Sequence, residues 1–334
     1  MNSKRSSVPR MNLAFSHETA LLLILIVEFL FFSLVGRNFN TLDNNYDLVR
    51  HSVEIGLLAL AMTPIILTGG IDLSVGSLLG LSAILFGKFW RDAHLPIWLA
   101  ALATLAVGGF GGALNASLIT VLRLPPLIVT LGTYSLFRGL AEAITRGVDT
   151  FTGFPESFLR LGQGQVFSLP AQTPLFLLVA AVIWLLVHRT TIGRSWRAIG
   201  FSPEGARYAS LPVQRRLAIA YLLAGIITGL AAVVYTSRLG QAKADAGTGY
   251  ELLAITAVVL GGTSIFGGVG SVHGTMLGVA ALAILSNGLI HARQPREVAG
   301  MLTGALLLLA LAASVLQKKF AARRARRYPP GATT

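Results

Sequence analysis

Residues 95–122 read LPIWLAALATLAVGGFGGALNASLITVL, one mostly apolar block of twenty-eight. A helix that crosses the hydrocarbon core of a bilayer needs about 20 such residues. Stretches 19–35, 174–187, 217–234 and 298–316 are blocks of the same kind. Across 334 residues, 54% are hydrophobic and 12% charged, against about 25% charged in soluble domains. One water-soluble core cannot bury that much apolar surface in a chain this long. The fold class is therefore an all-α integral membrane protein.

The whole chain divides into a polytopic bundle of about ten transmembrane helices, near 19–35, 52–69, 74–90, 96–122, 127–146, 173–188, 216–236, 251–265, 272–291 and 298–316. Lys and Arg accumulate on the cytoplasmic side of membranes. With the N-terminus inside, the inner segments hold Lys4, Arg5, Arg10, Arg123, Arg189, Arg194, Arg197, Arg207, Arg215 and Arg216. The tail adds Lys318, Lys319, Arg323, Arg324, Arg326 and Arg327. The two densest basic stretches, 189–216 and 318–327, share a side only if an even number of crossings separates them. Ten helices with both termini cytoplasmic satisfy this. The expected domains are a cytoplasmic N-terminal tail at 1–18, a transmembrane domain at 19–316 with a cytoplasmic loop at about 189–216, and a basic cytoplasmic tail at 317–334. The net charge of +13 then reports topology and contact with anionic lipid, not nucleic acid.

The first apolar block is longer than the core of a typical signal peptide and is followed by a poor cleavage site, so it is expected to be retained. Glu28 inside it costs about 2–3 kcal/mol at a helix centre and is expected to face protein. Cysteine is absent, which excludes disulfides, thiolate metal sites and cysteine nucleophiles. His17, His51, His94, His188, His273 and His291 stand singly, with no i, i+4 pair, so no metal is expected. Neither the glycines before Lys88 nor the run 268–274 has the spacing of a nucleotide-binding loop. No catalytic residues and no cofactor are expected, and any ATPase must be another chain.

Three segments exceed what plain anchors need. In Gly69-Gly70-Ile71-Asp72-Leu73-Ser74-Val75-Gly76-Ser77, Asp72 can cap the following helix by accepting N–H groups at 74 or 75, or it can line a solute path with Ser74 and Asn115. Glycines from Gly247-Thr248-Gly249-Tyr250-Glu251 to Gly261-Gly262-Thr263-Ser264 and on to Ser271 permit either close helix approach or a non-helical break at membrane depth. Thr248, Tyr250, Glu251, Thr263 and Ser264 are the candidates there for a path or gate. In the basic loop, Ser202 before Pro203 forms an N-cap and first-turn pair, predicting a short helix over 203–209. That helix is either a docking peg for a partner or part of a solvated loop.

These motifs, with Pro125-Pro126-Leu127-Ile128-Val129-Thr130-Leu131-Gly132, resemble the permease subunits of ribose-type ABC importers over roughly 19–316. Arg238 to Tyr250 and Gln294-Pro295-Arg296-Glu297 lean toward the rhamnose and autoinducer-2 branch. The resemblance implies a multi-pass protein of the bacterial inner membrane. It also implies a second permease chain, a cytoplasmic ABC ATPase, a periplasmic or extracellular solute-binding protein, and inward translocation of a sugar-like solute. It assigns ATPase coupling to Ser202, Pro203, Glu204, Gly205, Ala206, Arg207, Tyr208 and Ala209. Ser210 departs from the family, which usually has glycine there. The loop 147–172 holds Phe151, Phe154, Pro155, Phe158 and Leu159, suited to a gate or a binding-protein platform. The alternative, an ion-coupled secondary transporter, would use buried Glu28, Glu54 or Glu142, although Arg138 and Glu142 stand i, i+4 apart and are expected to neutralise each other.

Overall fold

The computed structural model describes residues 17–166 and 169–327. In chain order the first helices are α1 (His17–Val35), α2 (Leu42–Leu67), α3 (Val75–Arg91), α4 (Ile97–Thr120) and α5 (Pro126–Thr145). A small cap follows: strand β1 (Phe151–Thr152), helix α6 (Glu156–Gln163), and strands β2 (Gln165–Val166) and β3 (Leu169–Pro170). Then come α7 (Thr173–Arg189), α8 (Thr191–Phe201), α9 (Pro203–Tyr208), α10 (Val213–Leu239), strand β4 (Gln241–Ala242), α11 (Tyr250–Leu260), α12 (Val272–His291) and α13 (Arg296–Arg327). The basic stretch 318–327 continues α13 as helix. Most of the expected N-terminal tail, with Lys4, Arg5 and Arg10, and residues 328–334 lie outside the described residues.

Each of the ten expected segments carries a helix. Among the described residues, six are long and apolar enough to cross a membrane singly, and α7 with α8, bent by 67°, makes a seventh if taken as one span. The eighth segment, expected over 251–265, ends at Leu260 after 11 residues. At 1.5 Å per residue that is about 16 Å, half of a hydrocarbon core of about 30 Å. The second segment starts at Leu42, not 52. Thr41 caps it by accepting from the Asn44 N–H at 3.3 Å, so polar residues that read as loop are helical turns. Asn44 in turn exchanges two hydrogen bonds with Asn287 of α12, at 2.9 and 2.8 Å.

α2 is the hub: every residue from Gly56 to Leu67 is buried, under α7, α10, α11 and α12. A helix apolar all round belongs in such a place. α1 by contrast buries three side chains, Leu21, Leu25 and Phe32, and packs on α12. Glu28 is half-buried there, in an apolar groove of about 830 Å³ between α1, α12 and α13. The most extensive pairing joins α4 to α10, where small residues let two backbones meet. A Cβ placed on Gly225 would stand 2.2 Å from the Gly108 carbonyl oxygen.

The expected Arg138–Glu142 pair does not form. Arg138 donates to the carbonyls of Ala244 and Ala246, the latter at 3.1 Å, and Glu142 is exposed. An exposed i, i+4 pair is worth only about 0.3–0.5 kcal/mol, too little to hold a guanidinium that can serve two part-buried carbonyls.

The bundle has two distinct ends. At one, α8 meets the Gly69 turn and the 261–271 turn and carries α9, with Gly268 N donating to Leu67 O at 2.9 Å and Ser271 donating to Glu18 at 2.6 Å. At the other, β1 pairs antiparallel with β4, Phe151 opposite Ala242. There Phe151, Phe154 and Phe158 are buried. Phe86 of α3 packs on Phe154 and Phe158 with ring centroids at 5.4 and 4.9 Å. The described residues of the loop 147–172 thus form a folded cap with its own aromatic core, anchored by Arg50 donating to Gln163 O at 2.8 Å.

Candidate functional site

The short helix α9 forms as its sequence dictates. Ser202 accepts from the Gly205 N–H at 3.0 Å, and Pro203 occupies the first turn, where its missing N–H costs nothing. Ala206 alone of this helix is buried, clustered with Ile199 and Val213. Glu204, Gly205, Arg207, Tyr208 and Ala209 are exposed. Tyr208 is 90% exposed and Phe201 70%, two large apolar side chains presented beside opposite charges on one knob.

Behind the knob, α8 is fastened on several sides, and sequence reasoning missed it. Its signal was Ile192, Trp196 and Ile199 at helical spacing, after a Thr190 cap that accepts from Ile192 and Gly193 N–H at 3.1 and 3.3 Å. Fully buried Trp196 donates to Arg216 O at 2.8 Å, at the start of α10. Arg197 donates to Val187 O at 3.0 Å and to Gly270 O at 3.4 Å. A Cβ on Gly200 would stand 2.0 Å from Leu67 O. α9 thus stands on a helix that is itself packed against α2, α7, α10 and the 261–271 turn.

Ser210, directly after the knob, has φ 59°, the left-handed region that favours glycine. Ser210→Gly is expected to stabilise the protein by about 1 kcal/mol, read as a rise in thermal midpoint in detergent with transport unchanged.

The candidate path residues fall into separate places. Asp72 accepts from the Ser74 N–H at 2.8 Å and hydroxyl at 2.6 Å. Asn115 donates to Ser74 Oγ at 2.8 Å, and Thr133 donates to Asn115 Oδ1 at 2.7 Å. This buried network ties the α2–α3 turn to α4 and α5. Thr263 and Ser264 lie in the turn at the α9 end, Thr263 buried and Ser264 half-buried. Thr248 is exposed and donates to Asp245 O at 2.6 Å. Phe151 and Phe154 sit in the cap.

A polar pair that sequence could not reveal joins α2 to α10. Glu54, wholly buried, accepts from Arg238 Nε at 2.6 Å across 184 residues of chain. The Arg238 guanidinium lies 5.9 Å from the Tyr235 ring, whose centroid is 6.2 Å from that of Tyr250. Glu54→Ala strands the guanidinium, and breaking a buried pair costs about 3–5 kcal/mol. The expected result is loss of a monodisperse peak in detergent chromatography, with recovery in the double variant E54L/R238M.

A family described as the permease component of branched-chain amino acid transport systems matches residues 44–311. The chain belongs to this permease family. It is 40% identical over 301 residues to the autoinducer 2 import system permease protein LsrD of Photorhabdus luminescens, covering 88% of this chain and 90% of that one. The corresponding protein of Escherichia coli (strain K12) is 39% identical over 306 residues, covering 90% and 92%. Among solved structures, an inward-facing metal-chelate type ABC transporter has TM-score 0.51 at 16% identity, covering 89% of this permease and 98% of that chain. The likeness extends to the fold. The permease is a multi-pass membrane protein, and the α9 knob lies within the matched stretch.

Proposed function

We propose that this permease translocates a sugar-like solute of the rhamnose, ribose or autoinducer-2 class inward, powered by a separate ATPase. In this reading α9 seats in a groove of that ATPase. A second permease chain completes the channel, and a soluble binding protein delivers solute to the cap end. Both termini are cytoplasmic and the eighth of ten crossings is completed by non-helical chain. The domains follow as a cytoplasmic tail at 1–18, the transmembrane domain at 19–316, and a basic cytoplasmic tail at 317–334.

The observation that carries the reading is α9 itself: a capped helix with one buried face, projecting aromatic and charged side chains from the end where the basic loop lies. Closure of the ATPase pair on nucleotide pushes α9, and the fastenings of α8 pass the push to α2 and α10. Hydrolysis resets the bundle. The permease then needs only two packings close in free energy, with nucleotide biasing the balance. Of the three carboxylates that ion coupling would use, Glu54 is engaged by Arg238, Glu142 is exposed, and Glu28 lines an apolar groove on α1 away from the α2 hub. Uptake into right-side-out vesicles carrying the full complex, with ATP enclosed and loaded binding protein outside, tests the choice: it is expected to stop with enclosed vanadate and to survive an uncoupler. The opposite pattern contradicts the reading.

A further inference from the structure

We propose that segment 241–249, with the first turn of α11, is a movable gate latched by Arg138, and that Glu54 and Glu251 behind it receive hydroxyl groups of a neutral polyol when it lifts. This rests on the importer reading above and names the site that reading requires.

The segment is non-helical beyond its short strand, yet Ala242, Ala246 and Gly247 are buried. It descends along the glycine face of α3. Phe151, paired with Ala242, lies on Gly87; the Ala244 and Ala246 carbonyls lie on Gly80; the Gly247 carbonyl lies on Gly76. From Gly87 to Gly76 is about 16 Å of helix. The segment thus covers the depth that α11 leaves uncrossed. Chain at this depth without helical hydrogen bonds is tolerated where protein or a cavity satisfies it. Here Arg138 reaches from α5 to the carbonyls of Ala244 and Ala246. Gly240, just before the segment, and Gly249, which closes it, have φ 65° and 82°, so the chain turns at both of its ends without strain.

Behind the segment, polar capacity goes unused. Glu54, fully buried, holds Arg238 with one oxygen, and Oε2 has no partner among the described residues. The same is true of Glu251 Oε2, which faces Gly76. Buried acceptors without donors are rare and unfavourable. Carboxylate lone pairs accept from hydroxyls and repel anions, and the Tyr235–Tyr250 pair adds aromatic faces beside them. That chemistry fits a neutral polyol.

The chain contains no cysteine, so Ala246→Cys creates a single buried thiol. In membranes containing the assembled complex, labelling by a membrane-impermeant maleimide is expected to be slow. Adding Arg138→Gln, without nucleotide, is expected to accelerate it about tenfold or more, the ratio for losing one charge-assisted hydrogen bond. Arg138→Lys is expected to fall between. L-rhamnose or D-ribose in the medium is expected to slow labelling of the latch variant, and Glu251→Ala to remove that protection. Labelling indifferent to Arg138 overturns the latch. Labelling that neither sugar slows overturns the polyol site. Because the latch arm uses no nucleotide, it stands or falls separately from ATP-driven import.

Discussion

Glu204→Arg abolishes solute uptake while the protein still inserts and folds. Glu204 is in the first turn of α9, exposed, and supports nothing in the bundle: the helix is held by the Ser202 cap and by Ala206 against Ile199 and Val213. A negative charge at a helix N-terminus contributes about 0.3–1 kcal/mol, which the bundle can lose. At an interface the same carboxylate meets a partner charge under exclusion of water, and removing it there costs about 2–5 kcal/mol. Reversing its sign adds repulsion. ATPase association is therefore expected to weaken by at least about 30-fold, read by co-purification with the tagged permease. Glu156→Arg, an exposed change at the opposite end, is expected to leave that association intact. Normal uptake by the Glu204 variant contradicts the docking assignment.

Gly225→Leu eliminates folded protein. The new Cβ meets the Gly108 carbonyl oxygen at 2.2 Å and Gly112 Cα at 2.7 Å, all backbone of α4, so no side chain can yield. Overpacking a core commonly costs about 1–3 kcal/mol, and here relief requires separating the two most extensively paired helices. Total stabilities are about 5–15 kcal/mol, and a clash that only helix separation relieves forfeits the burial of the whole α4–α10 seam in addition to the local strain. Detergent chromatography is expected to show aggregate in place of a single peak. Gly132→Leu, where a Cβ meets nothing within 4 Å, is the matched control and is expected to behave as the natural protein.

The parts legible in the sequence are those whose signal is local. Ser202-Pro203 specifies a capped turn without help from the rest of the chain, and the Asp72 carboxylate meets Ser74 N–H as its spacing suggests. Long apolar blocks gave α4 and α10 within a few residues. What escaped depends on distant partners. The polar first turns of α2 are helical because Thr41 caps them and Asn287 satisfies Asn44. Arg138 ignores Glu142 because carbonyls more than 100 residues away offer better terms. Glu54 looked like an isolated carboxylate until α10 brought Arg238 to it. The loop 147–172 folds into a cap because Phe86, on another helix, supplies the surface its aromatics cover.

The most direct measurement is ATP hydrolysis by whatever co-purifies with the tagged permease in mild detergent, with and without a soluble binding protein loaded with sugar. An importer subunit gives hydrolysis that rises on adding the loaded binding protein, and the sugar that works identifies the solute. A permease that purifies without any ATPase, and whose uptake follows an ion gradient, contradicts that function.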